Sequence, residues 1–346
     1  MVEWKKLGEI AIIGTGSNNR EDACDNGCYP FYVRSQEVLK IDSYLYDEEA
    51  ILIPGEGGIG DIFHYVKGKY GLHQRTYRVH PVANVVKGRY IYYYLFANFK
   101  TYINAKSYKS TAASIRKPML LDFPIFIPSL EEQTRIVGIL DTFTSAIDNL
   151  KEQIAQRRKQ YEYYRDQLLD LEGKEGVEMK KLEEACEIRR GIRVVKKQLK
   201  DNALYPVFQN SIAPMGYYDQ FNRDGNMPYI ICAGSSSGSV GYCITPFWAA
   251  DDCYTIESSK VNRRYTYYAL KKNNNNLFKL VRKGSMPRLP HEAIDNMVIP
   301  IPSLFEQQHI VSILDTFESS IRNLEAQLKQ REKQYEYYRN KLLTFE

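Results

Sequence analysis

The chain of 346 residues lacks a long hydrophobic run, because no segment approaches 18 uninterrupted apolar residues. That length is what indicates a membrane-spanning helix. The N-terminal MVEWKKLGEI is not typical of a signal peptide either. We therefore expect a soluble, cytoplasmic protein. The formal net charge is only +5, so any surface that binds nucleic acid must come from local clusters of cations rather than from bulk charge.

Metal ligands are also scarce, with six cysteines and five scattered histidines in the whole chain. Cys24 and Cys28 have three residues between them, and no second pair stands at metal-ligand spacing. In a chain of this size without an export signal, cysteines are more often free, partly buried residues. Neither a disulfide framework nor a structural metal is predicted.

The common catalytic motifs are missing. The chain has no G-x-x-x-x-G-K-[ST] loop, no H-E-x-x-H and no Asn/Asp-Pro-Pro-aromatic stretch of the kind that amino-methyltransferases use. Gly55, Gly57 and Gly60 do spell G-x-G-x-x-G after the predicted strand AILIP. The next segment, DIFHYVKGKYG, does not predict a helix, and no acidic residue follows at the required distance. A turn between two strands is the better interpretation, and no catalytic residue is predicted.

What the chain does contain is a long internal repeat. Residues 127–169 recur as residues 301–343, and 29 of the 43 paired positions are identical. Ser129 and Ser303 stand three residues before Glu132 and Glu306, a spacing that predicts a capping box at the start of each helix. Residues then recur alternately three and four apart, which is typical of a coiled coil. The residues predicted to form the interface between the helices or with a partner protein are Leu140, Phe143, Ile147, Leu150, Ile154, Arg157, Tyr161, Leu314, Phe317, Ile321, Leu324, Leu328, Arg331 and Tyr335.

The segments that precede the two helices match in plan but hardly in sequence. WKKLGEI corresponds to MKKLEEA, and RYIYYYLFANF, a predicted helix, corresponds to RYTYYALKKNN. Between them lie short predicted strands separated by Gly, Pro and Asn turns. We predict an α+β fold with a pseudo-two-fold internal repeat. Globular α/β domains span residues 1–126 and 173–300, and long coiled-coil helices, whose apolar stripes are most simply buried against each other, span residues 127–172 and 301–346. Each helix would be roughly 60 Å long.

Clusters of cations mixed with polar residues recur near matching places in the two globular domains. Lysine and arginine contact phosphates, whereas Asn, Gln and Arg also read base edges. Any single cluster is more often a solvated surface, but the recurrence favours DNA binding. The candidate DNA-binding residues are Ser17, Asn18, Arg20, Lys106, Lys109, Ser110, Arg116 and Lys117 in the first domain, and Arg189, Arg190, Arg193, Gln209, Asn210, Arg282, Lys283, Ser285 and Arg288 in the second.

Two dissimilar domains, each followed by a nearly identical helix that begins IPSLEEQTRIVGILD or IPSLFEQQHIVSILD, resemble the specificity (S) subunit of type I restriction-modification systems. WKKLGEI, MKKLEEA and KGSMPRL fit the same pattern, so the resemblance covers essentially the whole chain. It implies two target recognition domains that each read half of a split, asymmetric DNA site. It also implies that the two long helices pair antiparallel as a spacer, that methyltransferase (M) subunits dock around them and that restriction (R) subunits can join the complex.

In this family the adenine is methylated by the partner, which binds S-adenosylmethionine, so the resemblance implies that this chain binds no cofactor and carries no catalysis. Three alternatives follow from the residues. The helices could simply dimerise the chain as a generic coiled coil, the chain could be a single-chain methyltransferase, or it could be a regulatory scaffold without modification activity. The missing catalytic motif argues against the methyltransferase.

Overall fold

A computed structural model describes residues 3–82, 85–106 and 114–345. It divides into two compact units. Unit 1 comprises Met1–Lys151 and Ala326–Glu346, and unit 2 comprises Glu152–Glu325. Each of the two long helices therefore contributes one half to each unit. Among the described residues, no helix is both long enough and apolar enough to span a bilayer.

Unit 1 is built on a six-stranded sheet in the order β2-β7-β5-β6-β3-β4, with a separate two-stranded sheet formed by β1 and β8. Its elements, in chain order, are β1 (Glu3–Lys6), α1 (Leu7–Ile10), β2 (Ala11–Thr15), β3 (Tyr29–Tyr32), β4 (Val38–Ile41), β5 (Tyr46–Pro54), β6 (His64–Leu72), β7 (Thr76–Pro81), α2 (Gly88–Lys106), α3 (Lys117–Leu121), β8 (Pro124–Ile127) and the first long helix, α4 (Leu130–Leu168).

Unit 2 has a four-stranded sheet in the order β10-β16-β13-β14, a three-stranded sheet in the order β12-β11-β15, and the pair β17-β9. Its elements are β9 (Glu178–Lys181), α5 (Leu182–Ala185), β10 (Glu187–Arg190), β11 (Tyr205–Phe208), β12 (Gly216–Tyr218), β13 (Met227–Ile231), β14 (Val240–Cys243), β15 (Trp248–Ala249), β16 (Cys253–Glu257), α6 (Arg263–Lys272), α7 (Asn274–Leu280), α8 (His291–Asp295), β17 (Val298–Ile301) and the second long helix, α9 (Leu304–Leu343).

The two units share one pattern of strand pairing. The antiparallel pairs β2-β7, β5-β7 and β5-β6 of unit 1 correspond to β10-β16, β13-β16 and β13-β14 of unit 2. The parallel pair β3-β6 corresponds to β11-β15. In unit 2 the strand that matches β6 is interrupted between β14 and β15, where Pro246 stands. Proline cannot donate a ladder hydrogen bond, which is consistent with two smaller sheets in place of one.

The aromatic segment RYIYYYLFANF forms a helix, as predicted, within α2. Tyr90, Tyr93 and Phe99 are fully buried in the core of unit 1. The hydroxyl of Tyr90 donates to the carbonyl of Phe126 at 2.8 Å. In unit 2, Tyr265 of α6 donates in the same way to the carbonyl of Pro300 at 2.9 Å. Each unit thus buries a tyrosine-rich helix between its sheet and its long helix.

The Gly-rich segment of unit 1 connects β5 to β6, so the interpretation of a turn between strands is confirmed. Gly57, Gly58 and Gly60 have φ of 69°, 63° and 74°, a region that L side chains rarely adopt. Strand β6 follows where a dinucleotide-binding fold would require a helix.

The predicted capping boxes are only half right. Ser129 Oγ accepts from the backbone N–H of Glu132, and Ser303 Oγ accepts from that of Glu306, each at 3.2 Å. The Glu132 carboxylate does not reach back to the cap. It makes two hydrogen bonds to Arg135, at 2.6 and 2.7 Å, because an ion pair one turn along the helix competes for it.

The neighbouring glutamine of each helix start has the larger role. Gln133 and Gln307 are 0% and 1% exposed. The side-chain amide of Gln133 accepts from the backbone N–H of Lys87 at 2.9 Å and donates to the carbonyl of Pro128 at 2.9 Å. Gln307 makes the matching bonds to Asn262 and Pro302, at 2.8 and 2.9 Å. Each glutamine therefore joins the start of a long helix to the loop that precedes the tyrosine-rich helix.

Within each unit the two long helices run antiparallel. In unit 1, Phe143 of α4 stacks on Tyr338 of α9 with ring centroids 5.3 Å apart. In unit 2, Tyr164 of α4 stacks on Phe317 of α9, also at 5.3 Å. The first half of each helix thus pairs with the second half of the other, which is the antiparallel arrangement that the resemblance implied.

Candidate functional site

In unit 2, arginines from two segments lie around one carboxylate. Arg288 Nη2 donates to Asp252 Oδ1 at 3.3 Å. The Asp252 side chain is only 14% exposed, whereas that of Arg288 is 55% exposed. Burial raises the pKa of Asp252, and Asp251 adds to this effect, while Arg288, Arg190 and Arg193 oppose it. We call these five residues the Asp252 cluster.

Other predicted residues border this cluster. Gln209 Nε2 donates to Asp251 Oδ1 at 3.3 Å, and Asn210 lies against Gly234 in the turn that follows β13. Arg282 exchanges two backbone hydrogen bonds with Arg288, at 2.9 and 3.1 Å. Lys283 and Ser285 are exposed in the turn between those two arginines. The structure therefore gathers most of the candidates of the second domain on one surface.

Arg189 is the exception in unit 2. It makes two hydrogen bonds to Glu187, at 2.6 and 2.8 Å, and an ion pair with Glu257 at 3.4 Å. Because successive side chains of a strand point to opposite faces, Arg189 and Arg190 lie on different sides of β10. Arg189 is therefore separate from the Asp252 cluster.

A buried arginine of unit 2 was missed by the sequence analysis. Arg223 is 8% exposed, and burial lowers its pKa. Its Nη2 donates to the carbonyl of Arg190 at 2.9 Å, and its Nε donates to Thr255 Oγ1 at 2.6 Å. It holds β10 against β16 behind the cluster. These two partners lie more than 30 residues away along the chain, so no local pattern indicates this role.

Unit 1 carries a comparable group that the sequence analysis also missed. Glu56 accepts hydrogen bonds from Arg34 Nη1 at 3.1 Å and from Arg75 Nη1 at 3.0 Å. The hydrogen bond from Arg75 is the main reason why the pKa of Glu56 is lowered. All three side chains are between 43% and 56% exposed. We call them the Glu56 cluster. Its one sequence signal is a carboxylate within the Gly-rich turn.

The predicted candidates of unit 1 lie on two other segments. Ser17, Asn18 and Arg20 follow β2, where the backbone of Asn18 pairs with that of His73, next but one to Arg75. Arg116 and Lys117 are exposed at the start of α3. Lys109 and Ser110 lie outside the described residues, and so does the side chain of Lys106.

The residues of the predicted interface differ in how deeply they are buried. Leu140 and Leu314 belong to the buried cores of units 1 and 2, and Tyr335 and Tyr161 pack against those same cores. Ile147 and Ile154 are also buried. The half-buried members are Phe143, Leu150, Phe317, Ile321, Leu324 and Leu328.

The two arginines of the interface make matching contacts. Arg157 lies over the ring of Phe317 and Arg331 over that of Phe143, each 5.8 Å from the centroid. Each also donates to a glutamine three residues on, at 3.1 and 3.0 Å. Both arginines therefore line the seam between the helices within their own unit.

Each tyrosine-rich helix is also tied to a long helix by one arginine. In unit 1, Arg89 Nε donates to Asp141 Oδ1 at 2.7 Å, and its guanidinium lies 4.9 Å from the centroid of the Tyr65 ring. In unit 2, Arg264 binds both Asp315 and Glu318, at 2.6 and 2.5 Å. These contacts hold each tyrosine-rich helix on the half of the long helix that belongs to its unit.

Neither unit shows a metal centre: in the part of the chain that the structure describes, no three His, Cys, Asp or Glu side chains are grouped so that they could hold an ion. The recurring features are instead a mixed charged cluster on each unit and a repeated helix surface. These features suit binding to DNA and to a partner protein better than they suit catalysis.

Comparison with known proteins agrees with this description. A model of the type I restriction modification DNA specificity domain matches residues 1–157 and 174–332. A Haemophilus influenzae protein named as a type I restriction enzyme specificity subunit is 28% identical over 99% of this chain and 96% of its own length.

Two solved structures share the fold. The type I restriction-modification S subunit from M. genitalium superposes with a TM-score of 0.79 at 17% identity, covering 100% of this chain and 97% of that one. A chain from a structure that addresses complex assembly and conformational transition of the type I system superposes with a TM-score of 0.57 at 14% identity, covering 99% and 97%. With its two matched domains and two repeated helices, this chain belongs to the type I restriction-modification specificity family and is a specificity subunit.

Proposed function

We propose that the two globular regions, residues 1–126 and 173–300, are target recognition domains that each read one half of a split, asymmetric DNA site. The observation that carries this proposal is the contrast between the repeats. The strand pairing is common to both units, but the residues at their charged clusters differ, whereas the helices are identical at 29 of 43 positions. Two surfaces that share one strand pairing but carry different charged residues are suited to two different half-sites.

The chemistry of both clusters supports contact with DNA. Arginine presents a planar fork of N–H donors that matches guanine as well as phosphate, and amide side chains match adenine. Unit 2 offers Arg190, Arg193 and Arg288 beside Gln209 and Asn210. Unit 1 offers Arg34 and Arg75, with Asn18 on the adjoining segment. With a net charge of only +5, such local groups have to supply the attraction to the duplex.

The repeated helix surface is proposed to dock two copies of a methyltransferase subunit. Tyr163 and Tyr337 occupy matching positions and remain 58% and 60% exposed. Aromatic residues are enriched in protein interfaces, and two identical exposed positions suit two identical partners. The methyl donor S-adenosylmethionine belongs to that partner in this proposal, and this chain contributes no catalytic group. In this proposal a restriction subunit can also join the complex.

The test is to co-express the chain with the methyltransferase encoded beside it and to map modified adenines across the host DNA. We expect one split motif that disappears when this chain is omitted. A purified complex that gives no new methylation would contradict the proposal and favour a regulatory scaffold. Failure to form any complex would contradict the proposed docking surface.

A further inference from the structure

The Glu56 and Asp252 clusters lie at equivalent positions of the two units, at the turn that follows β5 in unit 1 and β13 in unit 2. We call this position the corner of each unit. Arg75 immediately precedes β7, and Asp252 immediately precedes β16. Each of these strands pairs with the strand that leads into the adjoining turn, β5 in unit 1 and β13 in unit 2. Arg75 and Asp252 are therefore equivalent in the fold, although their charges are opposite.

The other side of the corner also matches. The backbone of Glu56 bridges that of Ser114, and the backbone of Ala233 bridges that of Arg288. The next residues, Ile115 and Leu289, each donate to the turn at 2.8 Å, one to the carbonyl of Gly55 and the other to that of Cys232. Both corners are closed by an ion pair, but it joins Arg75 to Glu56 in unit 1 and Asp252 to Arg288 in unit 2.

In each ion pair the arginine keeps most of its donors available. Arg288 uses Nη2 for Asp252 and is 55% exposed, and Arg75 uses Nη1 for Glu56 and is 56% exposed. A guanidinium has five N–H donors in a rigid fork, so two parallel donors remain on each. That is the number needed for the O6 and N7 acceptors of guanine in the major groove.

The carboxylate favours a base over a phosphate as the ligand. It offsets the positive charge that would attract a phosphate, and it fixes the orientation of the guanidinium before DNA arrives, which lowers the entropy lost on binding. Asp252 suits this role because its side chain is mostly enclosed and because Arg190 and Arg193 lie near enough to influence its pKa.

We propose that Arg288 and Arg75 are specificity-determining residues, each oriented by a carboxylate to read a guanine in its own half-site. This inference rests on the proposed function of the two units. The sequence already made Arg288 a candidate for DNA contact. The geometry of the corner adds that Asp252 orients Arg288, that Glu56 and Arg75 form the equivalent pair in unit 1, and that the proposed ligand is a base edge.

The test uses the full chain in complex with the adjacent methyltransferase. Arg288→Ala should make one position of one half-site degenerate and lower methylation of the original site about tenfold, the range of one bidentate base contact. Arg75→Ala should do the same at one position of the other half-site only. Arg288→Lys keeps the charge but not the fork, so its motif should be as relaxed as that of the alanine variant.

Asp252→Asn should relax the same position as Arg288→Ala, although less strongly. Lys181→Ala, which removes an exposed cation on the two-stranded sheet β9-β17, is the matched control and should leave the motif unchanged. Thermal melting of each purified complex separates a loss of specificity from a loss of folding.

Two results would overturn the inference. If Arg288→Ala weakens binding evenly on all sequences and Arg288→Lys restores it, the contact is to a phosphate. If neither alanine variant changes the motif or the rate, both are ordinary surface ion pairs. A wild-type complex that methylates no split motif would instead show that the proposed function itself is wrong.

Discussion

At the scale of single residues, two buried glutamines stabilise the chain by satisfying backbone groups. The side-chain amide of Gln307 accepts from the backbone N–H of Asn262 and donates to the carbonyl of Pro302, and the residue is 1% exposed. A buried donor or acceptor that loses its partner costs about 1–3 kcal/mol. The repeat keeps the same residue at 133, where it makes the same two kinds of bond.

We predict that Gln307→Leu lowers the free energy of unfolding of unit 2 by roughly 2–4 kcal/mol, because it leaves two backbone groups unsatisfied. The chain has two tryptophans, Trp4 in unit 1 and Trp248 in unit 2. Urea unfolding followed by fluorescence in a Trp4→Phe background therefore reports unit 2. Gln167→Leu, at an exposed position of the first long helix within unit 2, should change stability by less than about 0.5 kcal/mol. Equal effects of the two substitutions would contradict this role for Gln307.

A second prediction concerns His64 of β6. Burial is the main reason that its pKa is lowered, although its ring hydrogen bond to the carbonyl of Ser35, at 3.1 Å, acts in the opposite direction. A histidine whose pKa is lower in the folded chain favours the neutral form. Its contribution to stability is therefore present above the unfolded pKa of about 6.5 and is lost as the pH falls towards the folded value.

Between pH 7.5 and 5.5, unit 1 should lose more stability in the wild-type chain than in His64→Gln. Trp4 fluorescence in a Trp248→Phe background measures the urea midpoint at each pH. His73, whose pKa burial also lowers, remains in both chains, so the comparison isolates His64. An unchanged pH dependence in the variant would mean that His64 titrates alike in the folded and unfolded chains.

At the scale of secondary-structure elements, the long helices were predictable and the charged clusters only partly so. Helix periodicity and the repeat of residues 127–169 at 301–343 can be read directly from the sequence, and the structure confirms two long antiparallel helices. Arg75 and Glu56 are 19 residues apart, and Arg34 is 22 residues from Glu56. They meet because the pairing of β3, β5, β6 and β7 brings their distant segments together. Glu132 does not cap its helix because its carboxylate binds Arg135 instead, a residue that the capping-box motif does not include.

The tyrosine-rich helices give a prediction about how firmly each one is held. Arg264 binds two carboxylates and is 16% exposed, whereas its counterpart Arg89 binds one and is 29% exposed. Thr144 of the first long helix takes the place of Glu318 of the second. Arg264→Met leaves two partly enclosed carboxylates without their cation and should cost unit 2 about 1–3 kcal/mol, after allowance for solvent screening. Arg89→Met should cost unit 1 less, and the single-tryptophan backgrounds measure both.

The helix surface gives a prediction about the partner. Tyr163→Lys and Tyr337→Lys should each remove one of two bound methyltransferase subunits, because they introduce a charge into one of two proposed docking surfaces. Mass measurement by multi-angle light scattering gives the stoichiometry. Ala155→Lys is the matched control, since the second helix already has lysine at the matching position, 329, and a shared partner has to tolerate it. Full occupancy in both tyrosine variants would place the docking surface elsewhere.

At the scale of the whole molecule, electrostatics decides how the chain finds DNA. A net charge of +5 in 346 residues gives little long-range attraction, so the salt dependence of binding has to come from a few cations near phosphates. Lys283 is the best placed of them in unit 2. It is exposed in the turn between Arg282 and Arg288, next to the Asp252 cluster.

We expect Lys283→Glu to weaken binding on all sequences alike and to lower the slope of log K against log salt by about one, since one phosphate contact is lost. The preferred motif should stay the same, in contrast to Arg288→Ala. Lys151→Glu makes the same change in net charge at a position where the second helix already has glutamate, 325. The two variants have the same net charge, so an effect of the bulk field would lower both slopes equally, whereas a local phosphate contact lowers only the slope of Lys283→Glu. Titrations of both variants at several salt concentrations distinguish these two cases. Equal slopes in both variants would mean that Lys283 is an ordinary solvated cation.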